Sequence, residues 1–412
     1  MKDPCGDKIQ TPANPSVILC ADWSKEPSKR AVYIADVLAR KVRRLEVGAW
    51  SLATLLDEGD RWARRGPVLA TFDVPLGIPD TYLAAAARLL SWRSSTFLDF
   101  LVHACSVRDF FNGTALPADW KIERPFFSVP VGDGGLRSFE SAASQYGVNL
   151  YRVIDRRTRA KTLFAKSGIP GTVGAATCAL WQELGPRLAA NRSFKMWPFE
   201  GELDALLKSA PVVLGEVYPR AAYATALIDG PTNGRPRLSV AKTDPLVRRS
   251  AVQSIQSVKW VRELEVEIED RDYAEANEDD FDACLTAAAL LRCVLEKLPM
   301  TCPIDSPRVE GGILGTGSVN MALRERVFQG LMGQHGDSRT PKVQKTHTAV
   351  IQAAAREIRC PIAGCTKTWP NGRGGWDGHV ASLRTHPLWH PALTVGQDRK
   401  RQFKTEFPEF FG

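Results

Sequence analysis

The chain reads as an α/β protein with a large insertion and a small C-terminal Cys/His module. Three observations predict this. The apolar runs "VILCADWS" (17–24), "VLATFDVPLGIP" (68–79) and "APVVLGEVYPRAAY" (210–223) have strand character, and each carries an acid at or near its end. Helical segments flank them, at 51–65 and over "FDACLTAAALLRCVLEKL" (281–298). Finally, "CPIAGCTKTWPNGRGGWDGHVASLRTHPLWH" (360–390) gathers two cysteines and three of the chain's six histidines.

Taken in order, Val17, Ile18 and Leu19 form the buried part of a first strand that delivers Asp22 to its tip. "SKEPSK" is a hairpin-like loop, after which "RAVYIAD" (30–36) alternates as a second strand and "KVRRLEVGAW" (41–50) can hold a third. Leu52, Leu55, Leu56 and Trp62 recur near helical spacing behind Ser51, a suitable N-cap, and Gly66-Pro67 ends that helix. Asp73 closes the next strand. Residues 80–205 mix helical stretches with loops such as "RPFFSVPVGDGG" and read as one insertion shaping a substrate groove. Strand character returns at 210–223, with Glu216 near the end and Pro219 closing it. "VQSIQSVKWVRELEVEIED" (252–270) reads as helix, and "VEGGILGTGSV" (309–319) as a short strand or turn finishing the domain. The expected organisation is a main domain over 1–330, a linker over 331–345 and a basic tail over 346–412.

A length of 412 residues suffices for two or three domains and a sizeable core, and 44% hydrophobic with 24% charged residues is an ordinary globular balance. The polar N-terminus has no apolar run for a signal peptide, and "LTAAALL" (285–291) is too short to span a bilayer. A soluble, cytoplasmic protein without a membrane partner is expected. Seven of the nine cysteines stand alone, several in apolar settings, which suits reduced buried thiols. The net charge is +8, and residues 337–412 supply +6 of it from 12 Lys/Arg against 6 Asp/Glu. A second basic cluster holds Arg156, Arg157, Arg159 and Lys161, with Arg152 and Lys166 beside them and Asp155 as the one acid. Solvated faces account for a modest surplus of this kind. Clustered cations also attract phosphates at long range, so these four residues are the expected nucleic-acid contacts.

Asp22, Asp73 and Glu216 end strand-like runs, while Asp279, Asp280 and Asp282 open a helix, with Asp279 and Asp282 on one face. The helix dipole alone favours acids in a first turn. Crowded carboxylates, however, raise one another's pKa unless a cation sits among them. Hard divalent cations take such oxygen ligands, and two of them roughly 4 Å apart activate water and hold the leaving oxygen in phosphodiester cleavage. Asp22 is therefore expected to be a ligand for Mg²⁺ or Mn²⁺.

"ADWS", "FDVPLGIP", "GEVYPRAAY", "DDFDACLTAAAL" and "EGGILG" occur here in order. They resemble the domain-of-unknown-function family described as predicted RNase H-like nucleases, itself similar to the RuvC-type resolvases. The resemblance covers roughly residues 15–320. It implies a mixed sheet flanked by helices, with Asp22 on the first strand as a metal ligand. It also implies that Glu216 and Asp282 complete the cluster and that Asp279 assists from one helical turn earlier. Asp73 matches the family's D-x-P-L-G motif and is a candidate for structure as much as for chemistry.

In the tail, Cys360-x4-Cys365 fits a zinc knuckle, and thirteen residues separate Cys365 from His379. Trp369 and Trp376 fall where a two-cysteine, two-histidine finger keeps its small apolar core. Zinc favours such a closed N/S set. His379-x6-His386 departs from the usual spacing, since seven residues of one unbroken helix rise about 10 Å. Pro387 suggests that the helix ends early and turns His386 inward, with His390 as the substitute. The expected set is Cys360, Cys365, His379 and His386 around Zn²⁺, in a module that binds nucleic acid or docks a protein. Three functions compete: a metal-dependent nuclease acting on DNA or RNA, an inactive nucleic-acid-binding adaptor, and a sugar-kinase-like ATPase. The absence of glycine from residues 23–31 counts against the ATPase.

Overall fold

The computed structural model describes residues 14–329 apart from 47, 131–134, 191, 230–234, 303–307 and 321. It also describes 358–363, 365, 366, 368, 369, 379, 380, 386, 388–392 and 396–408. The expected linker lies outside the described residues. The chain forms two compact units, 1–336 and 337–412. Among the described residues, no helix is long and apolar enough to cross a membrane.

The first unit is built on a mixed sheet flanked by helices. Strands β1 (Val17–Asp22), β2 (Ala31–Asp36) and β3 (Lys41–Arg44) form an antiparallel meander. β4 (Val68–Phe72) adds in parallel to the other side of β1, and Val212–Val217 adds in parallel to β4. All six residues of β1 and all five of β4 are buried, because helices cover both faces; a continuous apolar run is the sequence form of such strands. Helix α1 (Leu52–Ala63) starts where expected, with the Ser51 hydroxyl accepting from the Thr54 amide at 3.2 Å.

Strand alternation divides the core in two. Val17, Leu19, Ala21, Val68, Ala70, Phe72, Val212 and Leu214 face one layer, with α1 and the insertion. Ile18, Cys20, Leu69, Val213 and Val217 face the other, with the buried helix Glu278–Leu295 and the helix Pro219–Leu227. Each large aliphatic buried in these layers contributes roughly 1.5–3 kcal/mol.

Two expectations change. Residues 252–270 are not one helix: they hold the end of helix Pro245–Ile255, a short helix Lys259–Glu263 and the edge strand Glu267–Ile268, which pairs with β3. Pro219 does more than close its strand, since it is the first residue of the next helix, where its missing N–H costs no hydrogen bond. The insertion carries the helices Phe97–Ser106 and Gly174–Ala189, which pack on each other. Among its described residues it also carries the short helix Val153–Thr158.

Candidate functional site

Period-two alternation decides which acids can meet. Glu216 pairs in register with Phe72 and so shares the face of Phe72, whereas Asp22 follows Ala21 and lies on the face of Cys20. Asp73, just beyond its strand, joins Asp22: its amide donates to the Ala21 carbonyl at 3.2 Å. Asp282 comes from the buried helix on that same face. Asp22, Asp73 and Asp282 therefore line one narrow recess, together with Cys20, Val217, Pro219 and Thr286. The side chains close this recess and leave no room for a water-sized occupant, so an ion enters only when one of them moves.

Each acid in the recess is held by specific groups. Asp73 accepts from the Trp23 amide at 2.6 Å. Asp22 and Asp73 interact side chain to side chain, and the Asp22 pKa is raised first by burial and then by the Asp73 charge. Burial likewise pushes Asp73 up to about 6. Asp282 accepts from the Tyr223 hydroxyl through Oδ1 and from the Lys242 ammonium through Oδ2. Burial raises its pKa, and Lys242 opposes the rise. Asp279, one turn earlier and half-buried, is raised by burial and lowered by Lys242. Asp280 turns elsewhere, accepting from Arg44 Nε at 2.6 Å. The helix itself is capped by Asn277, whose side chain accepts from the Asp279 and Asp280 amides.

Glu216 does not belong to this cluster. Its two carboxylate oxygens take a bidentate pair of bonds from Arg152, both at 2.6 Å, and one also accepts from the Leu76 amide at 2.7 Å. Burial still pushes Glu216 up to about 7. Arg152, read from sequence as part of a solvated basic cluster, is 1% exposed; it binds Asp155 at 2.7 Å and the Glu310 carbonyl at 3.1 Å as well. Burial disfavours its charge, and Asp155 and Glu216 outweigh that and raise its pKa. The turns it joins interlock closely. A Cβ on Gly77 (φ +133) would lie 2.2 Å from the Glu310 carbonyl oxygen, and one on Gly311 (φ +77) 2.0 Å from that of Leu76. Three of the motifs quoted for the family resemblance, through "PLGIP", "GEVYP" and "EGG", thus meet in one buried clamp.

Arg156, Arg157, Arg159 and Lys161 are all exposed at and just beyond the helix Val153–Thr158. Arg156 donates to Asn149 Oδ1 at 2.7 Å and lies over the Tyr151 ring.

In the second unit Cys360 and Cys365 follow the strand Ile358–Arg359, which pairs with Thr368–Trp369 in an antiparallel hairpin. The ligand atoms of Cys360, Cys365, His379 and His386 all lie within 4.8 Å of one another. Cys360 Sγ is 3.8 Å from His386 Nε2, Cys365 Sγ is 3.3 Å from His379 Nε2, and the two Nε2 atoms are 2.9 Å apart. A tetrahedral zinc site spaces its N and S ligands by roughly 3.3–3.8 Å. These four residues can hold a metal ion such as zinc. His390 is committed elsewhere, to Glu406. The apolar core under the site holds Ile362, Val380 and Phe403, with Trp389 and Phe407 packed against it. Trp376 and the side chain of Trp369 lie outside the described residues. Arg399, 0% exposed, ties the helix Gly396–Glu406 to the histidine segments, donating to the carbonyls of Val380 at 3.1 Å and His386 at 2.9 Å.

Sequence reading missed Lys242, Tyr223, Thr286 and the clamp role of Arg152. Thr286 had a signal, being four residues after Asp282 on one helix face, and Tyr223 lay inside a quoted motif. Lys242 had none, because it comes from a turn distant in sequence. The chain matches no known protein-family model, no curated protein and no solved structure.

Proposed function

We propose that this chain is a divalent-metal-dependent nuclease on an RNase H-like core. Asp22, Asp73 and Asp282 would be ligands for Mg²⁺ or Mn²⁺, with Asp279 assisting from the recess edge. Zn²⁺ at Cys360, Cys365, His379 and His386 would order the tail as a nucleic-acid-binding module. The mixed sheet with Asp22 at the tip of its first strand supports the core assignment. One observation carries the reading of the recess. The Thr286 hydroxyl, 2% exposed, lines the recess beside three carboxylates and has no hydrogen-bond partner among the described residues. A buried hydroxyl left unpaired costs about 1–3 kcal/mol, so a polar partner drawn into the recess would be favoured there. A divalent ion so held supplies water activation and stabilises the leaving oxygen. The exposed Arg156, Arg157, Arg159 and Lys161 would neutralise phosphates of DNA or RNA.

A second reading has its own support. Lys242 already neutralises Asp282, so the chain itself supplies one cation to the cluster. That suits a non-enzymatic nucleic-acid-binding or adaptor protein. Cleavage and gel-shift assays on single- and double-stranded DNA and RNA, with Mg²⁺ or Mn²⁺, decide between them. Asp22→Asn is expected to abolish cleavage and keep binding. Salt-sensitive binding with no cleavage by the wild type selects the adaptor, and neither binding nor cleavage removes both readings.

A further inference from the structure

Both Asp282 oxygens are engaged: Tyr223 donates to Oδ1 and Lys242 to Oδ2. The two occupants differ in their freedom to leave. Tyr223 is 4% exposed and packed in the core, edge-on to Phe281. The Lys242 side chain is 32% exposed and ends a flexible four-carbon stem. Its backbone is held, since the Lys242 carbonyl accepts from Arg248, which also donates to the carbonyls of Glu275 at 3.1 Å and Ala276 at 2.9 Å. The ammonium can swing while the turn stays fixed. Its field reaches Asp282, Asp22 and Asp73, and it is the first influence lowering Asp279 after burial.

We propose that Lys242 is a displaceable cation: its ammonium holds Asp282 in the metal-free protein and yields Oδ2 to a divalent ion. This rests on the metal reading of the recess. A divalent ion brings twice the charge to the same carboxylates, so the exchange is electrostatically downhill once the ion sheds water. The freed ammonium then stands beside the recess without its Asp282 bond. A phosphodiester oxygen of the substrate is the acceptor that restores its pairing, which makes Lys242 a positioning residue for the scissile phosphate. Metal and phosphate binding are then coupled, each favouring the other through the same lysine.

The experiment is a Mn²⁺ titration of the full chain, preloaded with Zn²⁺ so that the tail site is filled, by calorimetry. Lys242→Met and Lys242→Gln are expected to bind Mn²⁺ about tenfold more tightly than wild type, since the competitor is gone. Equal or weaker binding by folded variants, with wild type binding normally, overturns the proposal and leaves the metal reading intact. No Mn²⁺ binding by wild type, or binding unchanged in Asp282→Asn, defeats the metal reading itself. A measurement on wild type covers the case in which both variants misfold. The acetylation rate of Lys242, followed by mass spectrometry, is expected to rise several-fold when Mn²⁺ is added, and an unchanged rate also overturns the proposal.

Discussion

Asp73 accepts a backbone N–H from Trp23 and interacts with the Asp22 side chain, yet burial leaves its pKa at about 6, above its ordinary 3.8. The folded protein therefore binds more protons than the unfolded chain between those values. The stabilisation is complete below about pH 4 and is lost as pH rises through about 6. Asp22, Asp282 and Glu216 are raised too and act with the same sign. Thermal melting without divalent cations should show Tm falling from pH 5 to pH 8. Asp73→Asn keeps an acceptor for the Trp23 amide and cannot ionise, so it should reduce that slope and add about 1–3 kcal/mol at pH 8. A destabilised variant at pH 8 would contradict the burial argument. These residues show how much of the recess was legible: Asp22, Asp73, Asp279 and Asp282 were all named from their places in strand tips and a helix start. Glu216 was misplaced because one residue of register moves a side chain to the other face of the sheet.

Arg152 joins four elements: the short helix that starts after it, the Leu76–Gly77 turn, the strand bearing Glu216 and the turn at Glu310. Arg152→Met removes one cation and strands two buried carboxylates, Asp155 and Glu216. The loss should be about 3–5 kcal/mol, read as a lower urea midpoint. An unchanged midpoint would show that the clamp contributes nothing. In the tail, the hairpin supplies two thiols, and the helix Gly396–Glu406 supplies Phe403, Arg399 and the partner of His390. His386→Ala should lose zinc stoichiometrically in elemental analysis, while His390→Ala keeps one ion per chain. The reverse result would reassign the fourth ligand.

Both compact units are rich in basic residues. The first presents Arg156, Arg157, Arg159 and Lys161 at one short helix, and the second holds +6 of the net +8. Two tethered holds raise effective concentration. Truncation after Gly336 should weaken nucleic-acid binding about tenfold or more while leaving the metal-dependent cleavage rate at saturating substrate close to wild type. Replacing the four cations with Gln should flatten the log-affinity against log-salt slope by up to about 4 on duplex DNA. A truncation that abolishes cleavage at saturation would place chemistry in the tail and refute this division.

By itself the sequence determined the strands and the helix over 51–65, since apolar runs and an N-cap are local signals. It named Asp22, Asp73 and Asp282, which line the recess, together with Glu216, which does not, and it named the four tail residues that can hold a metal ion, because residue type and spacing carry that chemistry. The tertiary structure alone decided which face each acid occupies, because register is set between strands and not within one. It also decided that Lys242, from a turn 40 residues before Asp282, completes the cluster, and that Arg152 is a buried clamp and not a surface cation. A charge reads the same in sequence whether water or a carboxylate surrounds it. Only packing assigns its partner.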